Sequence, residues 1–218
     1  EAIEKLANLL LKNGFVKESY VPAIMAREKE FSTGLPTGEV GVAIPHTDSR
    51  HVLKEAIAVG ILSKPVSFCE MGSVDDSPVD VKILFMLAVP DKEKVMTVLH
   101  QVIGIIQNQD FLRKITSTEN YDELVELLDK QINANLAEDQ ETEKVEESKS
   151  TVPEITLTVT HPVGLHARPA SLFVRKAKEF TSNITVFCDG REANAKSILK
   201  ILSLGVNFNS IITIRAEG

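Results

Sequence analysis

The chain has 218 residues, 43% of them apolar and 25% charged, with a formal net charge of −7. That is the composition of a folded chain long enough for one large domain or two small ones, and its acidity argues against nucleic acid, whose phosphate backbone asks for a basic surface. Cys69 and Cys188 are isolated, no apolar run approaches the roughly 20 residues that span a bilayer, and no signal peptide opens the chain; a cytoplasmic protein without membrane insertion is expected.

A first helix is predicted from Glu1 to Leu11, where Ile3, Leu6, Ala7, Leu10 and Leu11 form one apolar stripe, and Asn13-Gly14 ends it. The chain opens directly on this helix without an initiator methionine, so residues upstream of Glu1 are expected. A second helix reads from Tyr20 to Lys29. The turn-rich Phe31–Gly38 leads into a strand at Val40–Ile44, which Pro45 ends. His46 then stands just past the strand end, where sites in α/β proteins commonly lie. Ala56–Leu62 and Val79–Val89 are further strands, and the near-continuous apolarity of the second predicts a central strand buried on both faces. Pro90-Asp91 begins a helix carrying Val95, Leu99, His100, Val102 and Ile106; Phe111–Ile115 and Tyr121–Asn133 are also helical. Residues 1–133 thus read as an α/β domain, a mixed sheet flanked by helices on both faces.

Residues 134–153 break this pattern. Glu138, Asp139, Glu141, Glu143, Glu146 and Glu147 stand there with almost no apolar side chains, which predicts a flexible acidic linker. Residues 154–218 start over with the alternating strand Ile155–Val159. A helix with Ala167, Ala170, Phe173, Val174 and Ala177 on one face follows. Ile184–Phe187, Asp189-Gly190 and Arg191–Ala193 read as a hairpin, Ser197–Leu204 as a helix and Ile211–Ile214 as a last strand. The order β-α-β-β-α-β predicts a small α+β open-faced sandwich, with helices on one face of an antiparallel sheet.

Two histidines carry the candidate chemistry. In Gly164-Leu-His-Ala-Arg-Pro-Ala170, His166 stands at a helix start, and Pro169 suits the first turn. The first-turn N–H groups, such as that of Ala167, and the helix dipole favour an anion, and Arg168 adds a planar cation. A histidine there can be a plain loop residue or a nitrogen nucleophile that accepts a phosphoryl group. His46 is, on the same grounds, a turn residue or a second site. It lies five residues from His51 with Asp48 between, which is no metal-ligand spacing, so neither a metal nor another cofactor is expected.

The strings themselves narrow this choice. His161-Pro-Val-Gly-Leu-His-Ala-Arg-Pro-Ala-Ser171 and Ala195-Lys-Ser-Ile-Leu-Lys-Ile-Leu-Ser-Leu-Gly205 closely resemble HPr, the histidine phosphocarrier of the bacterial sugar phosphotransferase system. The likeness runs from about Ile155 to the chain end. It implies that His166 carries the phosphoryl group, with Arg168 and Ala167 stabilising its charge. It also implies a last helix, before which this chain stops, so a C-terminally truncated HPr-like domain is expected. Arg27-Glu28, Thr33-Gly34, Val42-Ala-Ile-Pro-His-Thr-Asp48 and Leu99-His100 resemble the fructose/mannitol/galactitol class of enzyme IIA domains of the same system, over about residues 1 to 132. The Pro-His-Thr-Asp form and Val66-Ser-Phe-Cys-Glu-Met-Gly72 look closest to the galactitol type. This likeness implies His46 as the phosphorylated residue, with His100 and Arg27 supporting the group.

Together the resemblances imply a phosphotransferase relay. Enzyme I would load His166, His166 would pass the group to His46, and His46 would hand it to a IIB component of a membrane permease. The alternative is a regulatory protein of the same descent, whose phosphorylation controls binding to a partner. Ser197 has two readings as well. It is a helix N-cap by position, and by resemblance a regulatory phosphorylation site.

A flexible linker of 20 residues spans roughly 25 Å on average, so transfer from His166 to His46 is expected within one chain, at an effective concentration on the order of millimolar. The test mixes a His46→Ala chain with a His166→Ala chain and follows phosphate on His46 across dilution. The intact chain should keep its rate where the mixture loses it; equal concentration dependence would make the transfer intermolecular.

Overall fold

The computed structural model describes residues 1–218 except Glu93, Glu119, residues 139–152 and Val163; the side chains of Met96 and of residues 132–138 are also left undescribed. The chain folds as two compact units, one of Glu1–Met71 and Asp75–Ile132, the other of Asn133–Gly218 with Gly72–Val74.

The first unit opens with two helices, α1 (Ala2–Lys12) and α2 (Tyr20–Glu30). Gly14, at φ 72°, turns the chain out of α1 in the left-handed conformation that glycine adopts without penalty. Two short strands follow, β1 (Gly34–Leu35) and β2 (Gly41–Ala43), then the long β3 (Ala56–Cys69) and β4 (Pro78–Ala88). The sheet order is β1-β2-β4-β3, with β2 parallel to β4 and the other neighbours antiparallel. As its sequence predicts, β4 is an inner strand, buried from Ile83 to Ala88.

Both faces of this sheet are covered. Leu84, Met86 and Ala88 join Ala7 and Leu10 of α1 and Tyr20 and Ile24 of α2 in one buried cluster. On the opposite face Ile57, Val59 and Phe85 meet Val102 and Ile105 of α3 (Lys94–Gln107) and Leu128 of α5 (Tyr121–Glu138). Between those helices runs α4 (Gln109–Ser117), capped by Asn108, whose side chain accepts from the Phe111 N–H.

Two elements run past their predicted ends. β3 was expected to stop at Leu62, yet it resumes beyond a register shift and pairs Val66–Cys69 with Pro78–Val81 of β4. β3 is the edge strand, and Pro65 falls inside the shift, where no ladder N–H is missed. α5 continues through Glu138, so Ala134–Glu138 are helical where the linker was expected to begin. Ala134, Leu136 and Ala137 are strong helix formers and extend the last turns. The rest of the expected linker, residues 139–152, lies outside the described residues.

The second unit holds β5 (Glu154–Thr158), α6 (Ala167–Lys178), β6 (Asn183–Cys188), β7 (Arg191–Asn194), α7 (Ile198–Ser203) and β8 (Ile211–Glu217). All strands are antiparallel, in the order β5-β8-β6-β7. Asp189 and Gly190 both have positive φ, at 49° and 75°, the pattern of a tight two-residue hairpin turn. Val186, Cys188 and Ile212 are buried, as are Ala170 and Val174 of α6 and Ile201 and Leu202 of α7. Burial, with Asp189 alongside, pushes the Cys188 thiol up to about 11, so it stays protonated. Among the described residues, no helix of either unit is long and apolar enough to cross a membrane.

The end of α2 is tied to β1 through one half-buried carboxylate. Glu28 accepts the Thr33 N–H at 2.9 Å and the Thr33 hydroxyl at 2.7 Å. Burial nevertheless pushes its pKa from 4.5 up to about 7, against the opposing pull of those bonds and of Arg27. Between pH 4.5 and 7 the folded chain therefore binds a proton that the unfolded chain has released, and stability falls as pH rises through this window. The size is up to about 3 kcal/mol, less where solvent reaches the side chain. Denaturant unfolding of wild type and Glu28→Gln across pH 4 to 8 checks this (about four units, bracketing the window). The difference in stability between them should shift in favour of Glu28→Gln as pH rises; a flat difference would contradict it.

Candidate functional site

His46 sits in the first unit where β2 has just ended. Pro45, which cannot donate to a ladder, closes the strand, and its carbonyl accepts the Leu87 N–H from β4 at 3.0 Å. His46 itself forms an isolated parallel bridge with Leu87. The Leu87 carbonyl in turn accepts the Tyr20 hydroxyl of α2 at 2.8 Å, in the buried core. Helix α2, strand β4 and the His46 turn are thus pinned at one point.

The ring is buried, at 9% exposure, and both its nitrogens are engaged. Nδ1 lies 2.8 Å from the Ile44 carbonyl oxygen. A carbonyl only accepts, so Nδ1 carries the proton. Nε2 lies 3.0 Å from Nη2 of Arg27. A guanidinium only donates, so Nε2 accepts and the imidazole is neutral with its lone pair on Nε2. A cavity of about 10 Å³ beside the ring is walled by Thr47, Leu87, Val89, Val95 and Leu99. It has room for at most one water.

Of the residues expected at this site, the structure brings Arg27 onto His46. His100 lies on α3, half-buried and next to Leu99, which lines the cavity. His51 falls on a short 3-10 turn, Ser49–His51, where Nδ1 meets the Ser19 hydroxyl at 2.8 Å and Nε2 accepts from Arg50 Nε at 3.1 Å. It braces the head of α2. Among the described residues, no group of three or more His, Cys, Asp or Glu side chains could hold a metal ion.

The second unit places His166 at the N-cap of α6, with extended backbone and no capping bond from its side chain. Its carbonyl accepts the Ala170 N–H at 2.8 Å. The preceding loop is fixed by Gly164, whose φ is 63° and whose added Cβ would collide with the Val206 carbonyl oxygen. Leu165 donates to that same carbonyl at 2.9 Å. Ala167 is buried and Arg168 exposed in the first turn of α6, the end of a helix that favours an anion. Ser197 stands at the N-cap of α7, half-buried, but its hydroxyl makes no capping bond; only its backbone serves the helix.

Some of this was not legible from spacing. The His161 and His166 rings meet edge-on with centroids 6.0 Å apart; the five-residue spacing across a glycine turn is the signal that could have paired them. Glu28 and Thr33 bond across a helix end, and Tyr20 reaches a carbonyl 67 residues away. No local pattern announces such a bond.

Comparisons with known proteins place each unit in a family. Residues 1–131 match the family model described as "Phosphoenolpyruvate-dependent sugar phosphotransferase system, EIIA 2", and residues 153–218 match "PTS HPr component phosphorylation site". The phosphocarrier protein HPr of Buchnera aphidicola subsp. Baizongia pistaciae is 50% identical over 62 residues, 28% of this chain and 73% of that protein. HPr of Vibrio cholerae is 47% identical over 60 residues, 28% of this chain and 71% of its own length. The crystal structure of a IIA-type protein (PtxA) from Streptococcus mutans is alike in fold, with a TM-score of 0.52 and 20% identity over 63% of this chain and 85% of that one. The chain therefore belongs to the EIIA 2 family of the sugar phosphotransferase system in its first unit and to the HPr family in its second, a fusion of two phosphocarriers.

Proposed function

We propose that the chain is a phosphohistidine relay in which His166 accepts a phosphoryl group from enzyme I and His46 passes it to the IIB component of a sugar permease. The observation that carries this reading is the fixed tautomer of His46. Its proton is held on Nδ1 by Ile44, and the lone pair of Nε2 is presented beside Arg27.

In the transfer step the Nε2 lone pair forms a new N–P bond as the donor's N–P bond breaks. The departing donor imidazole keeps that electron pair, and Nδ1 keeps its proton. No other group need be covalently changed, so the protein contributes position and charge stabilisation. Arg27 moves from holding the lone pair to holding phosphoryl oxygens, with His100 assigned to the same group. At the second site, the first-turn N–H groups of Ala167 and Arg168 and the Arg168 guanidinium serve the phosphoryl group on His166.

The domain reading is a IIA unit that ends with α5 at Glu138 and an HPr unit over 154–218, with the segment between them as tether. The two free cysteines suit a reducing cytoplasm, where phosphoenolpyruvate and enzyme I would be met. The galactitol-type assignment rests on the Pro-His-Thr-Asp text at His46.

Incubation with phosphoenolpyruvate and enzyme I, followed by phosphopeptide mass analysis at alkaline pH, tests the order of transfer. His166→Ala should reduce loading from enzyme I to background while the fold persists, since a half-buried loop-end histidine contributes little packing. His46→Ala should load on His166 and fail to phosphorylate a IIB protein. Normal loading of His166→Ala by enzyme I would overturn the order.

A further inference from the structure

The turn bearing His46 hangs on a chain of polar contacts that begins at Glu28. Its two carboxylate oxygens take the N–H and the hydroxyl of Thr33, a residue only 2% exposed. The Thr33 carbonyl takes the Ile44 N–H at 3.3 Å, and the Ile44 carbonyl takes the proton on His46 Nδ1 at 2.8 Å. Arg27, whose guanidinium reaches Nε2 of the same ring at 3.0 Å, precedes Glu28 on α2. One carboxylate therefore holds both the helix end that delivers Arg27 and the strand that fixes the ring's tautomer.

We propose that Glu28, acting through Thr33, is a positioning residue for phosphoryl transfer at His46, keeping the imidazole in its Nδ1–H form with Nε2 facing Arg27. The proposal rests on the reading of His46 as the phosphoryl acceptor. Its physical basis is that the ring has two tautomers and only one has a lone pair on Nε2. With the Thr33 bonds gone, a buried N–H and hydroxyl lose their acceptors. The segment between α2 and β1 must then shift to satisfy them, and Ile44 shifts with it. Glu28 itself touches neither the ring nor a transferred group. Its loss should therefore act on the rate of the step rather than on capture of the donor.

The test uses the full chain in a His166→Ala background, with purified phosphorylated HPr as donor. Thr33→Val keeps the side-chain shape and removes the hydroxyl. It should lower the maximal rate of phosphorylation of His46 about tenfold, with the half-saturating donor concentration unchanged. Thr33→Ser, which restores the hydroxyl, should return within about twofold of wild type. Glu28→Gln can still accept the Thr33 N–H and donate to its hydroxyl, so it should fold and show a smaller loss of the same kind. The 15N spectrum of the His46 imidazole gives a readout independent of transfer. Wild type and Thr33→Ser should show the Nδ1–H form alone, and Thr33→Val a mixture of tautomers.

A folded Thr33→Val chain with wild-type rate and a single tautomer would overturn the proposal, as would a defect confined to the half-saturating concentration. A His46→Ala control separates the two readings. If it is still phosphorylated in the first unit, the assignment of His46 fails and the positioning role falls with it. If it is not, while Thr33→Val behaves as wild type, only the positioning role is lost.

Discussion

An imidazole accepts a phosphoryl group only through a nitrogen that carries no proton, so the bond from His46 Nδ1 to the Ile44 carbonyl governs the first site. A single hydrogen bond worth about 1 kcal/mol shifts a two-state ratio about fivefold, and Arg27, which can only donate to Nε2, favours the same tautomer. The bond exists only because β2 stops where it does. Pro45 ends the strand, β4 takes the Pro45 carbonyl through Leu87, and Tyr20 of α2 takes the Leu87 carbonyl.

The two histidines are held by different physics. His46 is 9% exposed against a wall that includes Leu87, Val89, Val95 and Leu99. The apolar wall lowers the local dielectric on that side, which strengthens the pull of Arg27 on charge at Nε2. His166 is less buried and stands at the head of α6, where backbone N–H groups and the helix dipole favour an anion. In the proposed relay the open histidine meets a separate loading enzyme, and the shielded one keeps the group from hydrolysis until its acceptor docks.

Much of this was readable in the sequence because it is written locally. The apolar run Ile83–Val89 announces an inner strand, the Asp189-Gly190 pair a tight turn, and the alternation Ile155–Val159 a strand, which forms at the sheet edge with all of Glu154–Thr158 exposed rather than one face buried. The two family strings also stand whole around His46 and His166. What the sequence did not announce are partners separated in the chain. Glu28 reads as an ordinary helix-end carboxylate beside Arg27 and Lys29, and only the fold brings it against the buried Thr33. β3 looked finished at Leu62 because Lys64-Pro65 breaks its pattern, and its resumption depends on the far end of β4. The end of α5 was misjudged for the opposite reason. Charge density was read as linker, while the local propensity of Ala134–Glu138 remained helical.

The central claim is that phosphoryl transfer runs through Nε2 of His46 while Nδ1 stays protonated toward Ile44. Phosphorylating the 15N-histidine-labelled chain with phosphoenolpyruvate and enzyme I, and reading one-bond 31P–15N coupling at alkaline pH, tests it directly. The predicted result is a coupling that assigns the phosphorus on His46 to Nε2, with the His46 Nδ1 proton still present. A coupling to Nδ1 of His46, or no phosphorus on His46 while His166 is loaded and its group is passed on, would contradict it.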